Sequence, residues 1–293
     1  MAAEPGTIAT ATAHGPADPP RKKKRHISGW HFVLAPIAIV FAVPFLQMFL
    51  AALSPASDLV KYPPPFIPSR LTLDGIVTLF TTTDVFLWLR NSAIVAVCSI
   101  GSHIVLCSLA GYGFARLKFA GRNMGIMMIL ATIMIPTQLL MIPTYIIFSK
   151  LGLTDTLGAA IVPWLTSAFG IFLMRQFYMS IPAEIEESGR IDGANRLQIF
   201  WHLILPLAKP AMATLAIFAL LDSWNDLIWP LIAINDENAF TVQLGITTFT
   251  GMRHTQWSLL MSGNVIAVLP LLLFFLFAQK HFIATMTFTG LKG

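Results

Sequence analysis

Along the chain, apolar residues gather into six long runs separated by shorter polar joints. The runs are approximately Trp30–Leu53, Asn91–Phe114, Met124–Phe148, Leu157–Tyr178, Ala211–Ile234 and Ser258–Phe277. Each is about 20–25 residues, which at ~1.5 Å per helical residue crosses a hydrocarbon core of ~30 Å. The pattern predicts an all-α polytopic membrane protein with six transmembrane helices. Residues 1–29 are Ala, Pro, Gly and Thr followed by a basic run; such a segment cannot bury a core and is expected to be disordered. The first apolar run is too long for the core of a secretory signal peptide and reads as a span.

Composition narrows the function classes. Of 293 residues, 56% are hydrophobic and only 11% charged, too few charges to solvate a soluble domain of this size. That excludes a soluble enzyme, a disordered chain and a nucleic-acid-binding domain. The net charge of +5 comes largely from placement: Arg21 to Arg25 form one basic run directly before the first apolar stretch, a topogenic signal rather than a nucleic-acid patch. With the N-terminus inside, fourteen Lys and Arg fall on cytoplasmic segments and five outside, which predicts that both termini are cytoplasmic. Cys98 and Cys107 lie nine residues apart in one apolar run, on opposite sides of a helix, so neither a disulfide nor a metal site is expected. Trp30, Trp88 and Trp257 fall at predicted span ends, as in an interfacial aromatic belt, and His103 reads as a packed core residue.

Two connections are long. The outer segment over about 54–90 carries Lys61-Tyr62-Pro63-Pro64-Pro65-Phe66-Ile67-Pro68, which cannot be helical and should run extended over the outer surface. The other, about 30 residues between Phe177 and Lys209, is cytoplasmic on the same topology. There Pro182 and the acidic cluster Glu184, Glu186 and Glu187 suit a helix start, and Asp192-Gly193 suits a turn. Asn195 can cap a second helix whose apolar Leu197, Phe200, Trp201 and Ile204 recur at helical spacing. Such a hairpin either packs beneath its own bundle or docks a partner, with apolar knobs filling a groove and carboxylates fixing register.

The hairpin resembles the signature of inner-membrane permease subunits of binding-protein-dependent ABC importers, E-A-A-x3-G-x9-I-x-L-P. Glu187, Ser188 and Gly189 fall on E-A-A, Gly193 on the glycine, Leu203 on the isoleucine, and Leu205-Pro206 on L-P. Ser188, Gly189 and Leu203 depart from the motif while keeping its spacing; Gly189 should loosen the first hairpin helix by about 1 kcal/mol relative to Ala. Arg190-Ile191-Asp192-Gly193-Ala194, Trp224-Asn225-Asp226-Leu227, Trp229-Pro230-Leu231 and the terminal Gly290-Leu291-Lys292-Gly293 are similar to the carbohydrate branch, the maltose-permease G-type subunits.

The resemblance implies a type I ABC importer permease fold over 30–293, in a bacterial-type cytoplasmic (inner) membrane, with a coupling loop at 181–207 and a C-terminal tail at 278–293. It implies a second, F-type permease as heterodimer partner, two copies of a cytoplasmic ATP-binding subunit, and an extracytoplasmic sugar-binding protein. No cofactor belongs to this chain; ATP and Mg would be bound by the ATPase subunits. The lever is assigned to 183–202 and the register-fixing charge to Glu187. Glu186, Glu187, Ser188, Gly189, Asp192, Gly193, Ala194, Leu205 and Pro206 form the expected coupling set, and 286–293 is expected to reach between the ATP-binding subunits.

Polar residues inside the apolar runs are the candidates for a translocation path. Asp222 and Asp226, at i,i+4 spacing with Asn225 adjacent, either sit where the helix breaks before Pro230 or border the path. Asn91, Thr137, Gln138 and Asn264 offer neutral donors and acceptors suited to sugar hydroxyls, or serve as interhelical glue. The chain lacks the G-x-x-x-x-G-K-[ST] phosphate loop, H-E-x-x-H and G-x-S-x-G, so it is expected to be a non-hydrolytic subunit rather than an ATPase or membrane enzyme. A secondary transporter or channel not driven by ATP is the other reading, although it would leave the hairpin without a use.

Overall fold

The computed structural model describes residues 30–251 and 255–290, with side chains up to Leu276 except that of His31. The expected tail over 1–29 and the last three residues of the 278–293 tail lie outside the described residues. Regular structure among the described residues is helical, with one isolated bridge between Thr250 and Thr255. The chain divides into two units, Met1–Pro44 and Phe45–Gly293. In the first, residues 30–44 are helical and their described side chains are exposed.

Among the described residues, the helices of five residues or more are α1 (Trp30–Ala52), α2 (Asp74–Thr82), α3 (Val85–Arg116), α4 (Arg122–Ile133), α5 (Thr137–Lys150), α6 (Leu157–Ile161), α7 (Ala168–Ser180), α8 (Glu184–Ile191), α9 (Arg196–Leu207), α10 (Lys209–Asn225), α11 (Ile228–Ala233), α12 (Val242–Thr247) and α13 (Trp257–Gly290). Among the described residues, four stretches are long and apolar enough to cross a membrane unaided: Phe32–Ala52, Val85–Arg116, Leu157–Ser180 and Trp257–Leu276. The expected third and fifth spans are bent or cut short, and the count reaches six when each bent pair is taken as one span.

The third span, expected as one rod over Met124–Phe148, is instead two helices, α4 and α5, meeting at 102° across Met134-Ile135-Pro136. Pro136 lacks the N–H that would continue the ladder and pushes the preceding residue away from helical geometry. The fifth, expected over Ala211–Ile234, stops at Asn225. Asp226 is extended (φ −67°, ψ 118°), and α11 begins only at Ile228. Pro230 does not cause this break, because it sits in the first turn of α11, where its missing N–H costs nothing. The fourth span loosens at Leu165-Thr166-Ser167 before α7 restarts, with the Ser167 hydroxyl accepting from Gly170 N–H at 2.9 Å.

Counted from their cytoplasmic ends, α4 has 12 residues, α7 13 and α10 17, so all three breaks lie about 18–26 Å along their helices. Near the same level α3 carries a π-helical turn over His103–Cys107. Its Cys107 Sγ lies 3.4 Å from Thr166 Oγ1, against the break in the fourth span. His103 is buried, with Nδ1 2.9 Å from the Ser99 carbonyl oxygen, as a packed core histidine should be.

One expectation about anchoring is corrected. Trp30 and Trp257 are exposed, but Trp88 is buried against Phe249 at a ring separation of 5.9 Å. α3 starts six residues before the expected run, so Trp88 lies inside the helix and covers Gly245. A Cβ on that glycine would stand 2.2 Å from the indole.

The outer polyproline segment is free of helix, as expected. It is stapled by Asp58, whose carboxylate accepts from Lys61 Nζ at 2.6 Å and from Ser69 N–H at 2.7 Å. The Lys61 hydrogen bond, helped by the two from Ser69, lowers the Asp58 pKa from 3.8 to about 2. A carboxylate depressed in the folded state contributes stability above its free pKa and loses it as pH falls through the folded one. Pepsin cleavage within residues 59–69 should therefore stay slow at pH 4 and accelerate as pH falls toward 2. Cleavage equally fast at both pH values, after correction for pepsin's own activity, would contradict the staple.

Candidate functional site

The hairpin over 181–207 is built as its residues dictate. α8 ends at Ile191, and Gly193 takes the left-handed φ of 81° that a side chain would resist. Asn195 then opens α9 through a reciprocal capping box: its Oδ1 accepts from Gln198 N–H at 2.9 Å, and Gln198 Oε1 accepts from Asn195 N–H at 2.8 Å. α9 contains a π turn over Phe200–Ile204 and joins α10 at Ala208 with a 77° bend.

The apolar residues of α9 divide between two directions. Ile199, Phe200 and Ile204 turn inward and form one core with Tyr112 of α3, Met174 and Tyr178 of α7, and Leu215 of α10. Tyr112 stands edge-on to Tyr178 at 5.9 Å and lies 4.9 Å from the Phe200 ring. Leu197 and Trp201 instead point outward, as does Ile191 of α8. They are 62%, 44% and 86% exposed, an apolar tip that their own bundle leaves uncovered. Glu187, Ser188, Asp192 and Gly193 are exposed beside it, Ala194 is half-buried, Leu205 is half-buried and Pro206 exposed.

Glu186, expected in the partner-facing set, is not available to a partner. It is buried, 5% exposed, with Oε1 3.1 Å from Arg116 Nε and Oε2 3.6 Å from Arg190 Nη2. The Arg116 contact is an ion pair set off-line for a hydrogen bond; the Tyr112 hydroxyl reaches Oε2 at 3.5 Å. Arg116 Nη2 also donates to the Tyr178 carbonyl at 2.7 Å and to that of Ile181, capping the end of α7. Removing one member of such a buried pair leaves an uncompensated charge, a loss of about 3–5 kcal/mol.

Gly189 is likewise buried. A Cβ there would come within 2.7 Å of Leu203 Cδ1 and 3.2 Å of Ile199 Cγ1. Two of the three departures from the family motif therefore touch: leucine fills the room that glycine vacates. The expected loosening of α8 by glycine is offset by this packing. Gly189→Ala alone should destabilise the chain by about 1–2 kcal/mol through overpacking, against the ~1 kcal/mol that helix propensity favours. The Gly189→Ala/Leu203→Ile pair should recover most of that loss. A double-mutant cycle on thermal unfolding in detergent measures the coupling, and additive effects would contradict the contact.

A cavity of about 380 Å³ opens at the level of the helix breaks. It brings together four of the expected path residues, Thr137 and Gln138 at the start of α5 and Asn225 and Asp226 at the end of α10, with Trp164 and Trp229. Asp226 does not share a helical face with Asp222, because the helix has ended. Its Oδ2 accepts from Trp164 Nε1 at 3.0 Å and its Oδ1 from Trp229 N–H at 3.4 Å. It joins the broken fourth and fifth spans, and Trp229 Nε1 adds a bond to the Ala159 carbonyl at 2.9 Å. Asn225 donates to the Leu221 carbonyl at 2.8 Å.

The other path candidates lie elsewhere. Asn91 is fully buried and donates to the carbonyls of Asn238 and Phe240, both at 2.9 Å, which makes it glue between α3 and the loop before α12. Asp222 is exposed on α10 and Asn264 half-buried on α13, both outside the cavity lining. Sequence reasoning missed Trp164, Trp229 and Arg116. A mid-span indole N–H that must find an acceptor was the available signal for both tryptophans.

Comparison with known proteins decides the family. Residues 103–287 match the model of the binding-protein-dependent transport system inner membrane component. The chain belongs to that family. The permease is 32% identical over 278 residues to the arabinooligosaccharides transport system permease protein AraQ of Halalkalibacterium halodurans, covering 93% of this chain and 100% of the relative. It is 29% identical over 254 residues to the lactose transport system permease protein LacG of Rhizobium radiobacter, covering 87% and 92%. Its fold matches a chain in the crystal structure of a bacterial ABC transporter involved in the import of the acidic polysaccharide alginate. That match has a TM-score of 0.74 at 21% identity, over 88% of the permease and 100% of the other chain. The permease is thus a multi-pass inner membrane subunit.

Proposed function

We propose that the permease forms half of the translocation path of an ATP-driven, binding-protein-dependent importer of a carbohydrate, and that its hairpin receives the motion of a separate ATPase. The observation that carries the coupling reading is the uncovered apolar tip of Ile191, Leu197 and Trp201 beside the exposed Glu187. Apolar knobs rimmed by a carboxylate suit a groove with a cationic edge on a partner. ATP and Mg would be held by two copies of that partner, since the chain has no phosphate loop of its own. A second, F-type permease would complete the path as a heterodimer, and an extracytoplasmic sugar-binding protein would deliver the substrate. The end of α13 and residues 286–293 would reach between the ATPase subunits.

A carbohydrate suits the cavity as well as the names of the relatives. Gln138, Thr137 and Asn225 supply neutral donors and acceptors for hydroxyls, and the half-buried Trp164 supplies an apolar ring.

The test is co-purification of an ATPase subunit with the tagged permease, followed by uptake of arabinooligosaccharides and lactose into proteoliposomes containing the complex and its binding protein. ATP-dependent uptake of one of them supports the proposal. Uptake that persists without ATP identifies a secondary transporter and overturns it.

A further inference from the structure

Within the coupling reading, the structure shows which spans the hairpin is fastened to. α8 is tied to the end of α3 by the Glu186–Arg116 pair, and the same guanidinium grips the Tyr178 and Ile181 carbonyls at the end of α7. Arg190 closes the other side of the Glu186 carboxylate, and the Tyr112–Tyr178–Phe200 rings fill the space between α3, α7 and α9. By contrast the covalent route to α10 passes through a 77° bend at Ala208.

Above this fastened region come the breaks at Pro136, Thr166 and Asp226, with the cavity between them. The outer pieces hold to one another separately. Asp226 joins Trp164, Trp229 joins Ala159, and Asp155 N–H donates to the Ala233 carbonyl at 2.9 Å.

We infer that Arg116 is a positioning residue for transport: it locks the hairpin, the end of α3 and α7 into one body, so that displacement of the hairpin is passed to α3 and α7 and through them to the helix breaks around the cavity. A single ammonium cannot reproduce the lock, because the guanidinium serves a carboxylate and two carbonyls at once. The role belongs to Arg116 and Glu186 together; Glu187 and the apolar tip keep the separate task of holding the ATPase.

The test uses the complete transporter, with binding protein, in proteoliposomes, and reads substrate imported per ATP hydrolysed. Arg116→Lys keeps one charge and loses the fork; Glu186→Gln keeps the shape and loses the charge. Both variants should retain the ATPase subunit and hydrolyse ATP, while substrate per ATP falls at least fivefold. An unchanged ratio in both overturns the inference. So does loss of the ATPase subunit, which would mean that the pair only shapes the docking surface. If the wild-type permease retains no ATPase subunit, the coupling reading itself fails, and that result is distinct from either.

A second measurement does not depend on the folding of those variants. Spin labels at the exposed Ser180 and Arg196 positions are introduced as Ser180→Cys and Arg196→Cys in a Cys98→Ala/Cys107→Ala background that transports. They should keep one separation in the nucleotide-free, ATP-bound and post-hydrolysis states. A separation that shifts by more than a few ångströms between states overturns the lock.

Discussion

Gly193→Val is expected to abolish ATP-driven uptake while leaving the permease in the membrane. Gly193 has φ 81°, and a Cβ there would meet nothing within 4 Å, so the whole effect comes from the backbone. A β-branched residue held in that region costs on the order of 1–3 kcal/mol. The cheapest relief is to reopen the turn between α8 and α9, which would misdirect Ile191 and Leu197, on either side of it. Because the rest of the hairpin core lies elsewhere, insertion and global folding should be unaffected. Uptake should fall at least tenfold, with the chain still present in washed membranes. Gly193→Asn, which tolerates the left-handed region, should retain most of the activity. Equal uptake in the valine variant and the wild type would show that the turn is not part of the coupling path.

The second large effect is expected at Asp226. Asp226→Leu leaves the Trp164 indole N–H and the Trp229 backbone N–H without their acceptor, at roughly 1–3 kcal/mol for each donor stranded away from water. The tie between the broken fourth and fifth spans is lost with them. Thermal unfolding of the purified permease should show a destabilisation on the order of 3 kcal/mol, and uptake should fall along with it because the cavity wall is part of that tie. Asp226→Asn keeps one acceptor oxygen and should lie between leucine and the wild type. If Asp226→Leu unfolds like the wild type, the carboxylate is not structural.

The two sites differ in how readily they could be read from sequence. The hairpin was legible because its signals are local: a glycine where the backbone must turn left-handed, an asparagine where a helix needs a cap, and a fixed motif spacing. Its inward side was not. Glu186 and Glu187 are adjacent, one helical step apart, and partners on α3, Tyr112 and Arg116, some seventy positions upstream, distinguish the buried one. The spans were legible by length, since ~20 apolar residues must cross the bilayer. The bend in the third span was not, because an apolar run has the same composition whether straight or broken, whereas a break before Pro230 was one of the two readings open for Asp226. Pro136 was a usable clue and Pro230 a misleading one, as the first lies outside a helix and the second inside a first turn. For the same reason, Thr137, Gln138, Asn225 and Asp226 could be singled out as polar residues at depth, but not as neighbours. Asn91, chosen on identical grounds, proved to be internal glue.

The contact between Gly189 and Leu203 also bears on how such subunits diverge. Gly189 cannot take on the motif's alanine without displacing Leu203 Cδ1, which holds the space the new Cβ would need. Chimeras that graft only the first half of this elbow from a relative should jam, whereas exchange of the whole 181–207 segment as one cassette should be tolerated. Recombination within the family would then be constrained to breakpoints outside it.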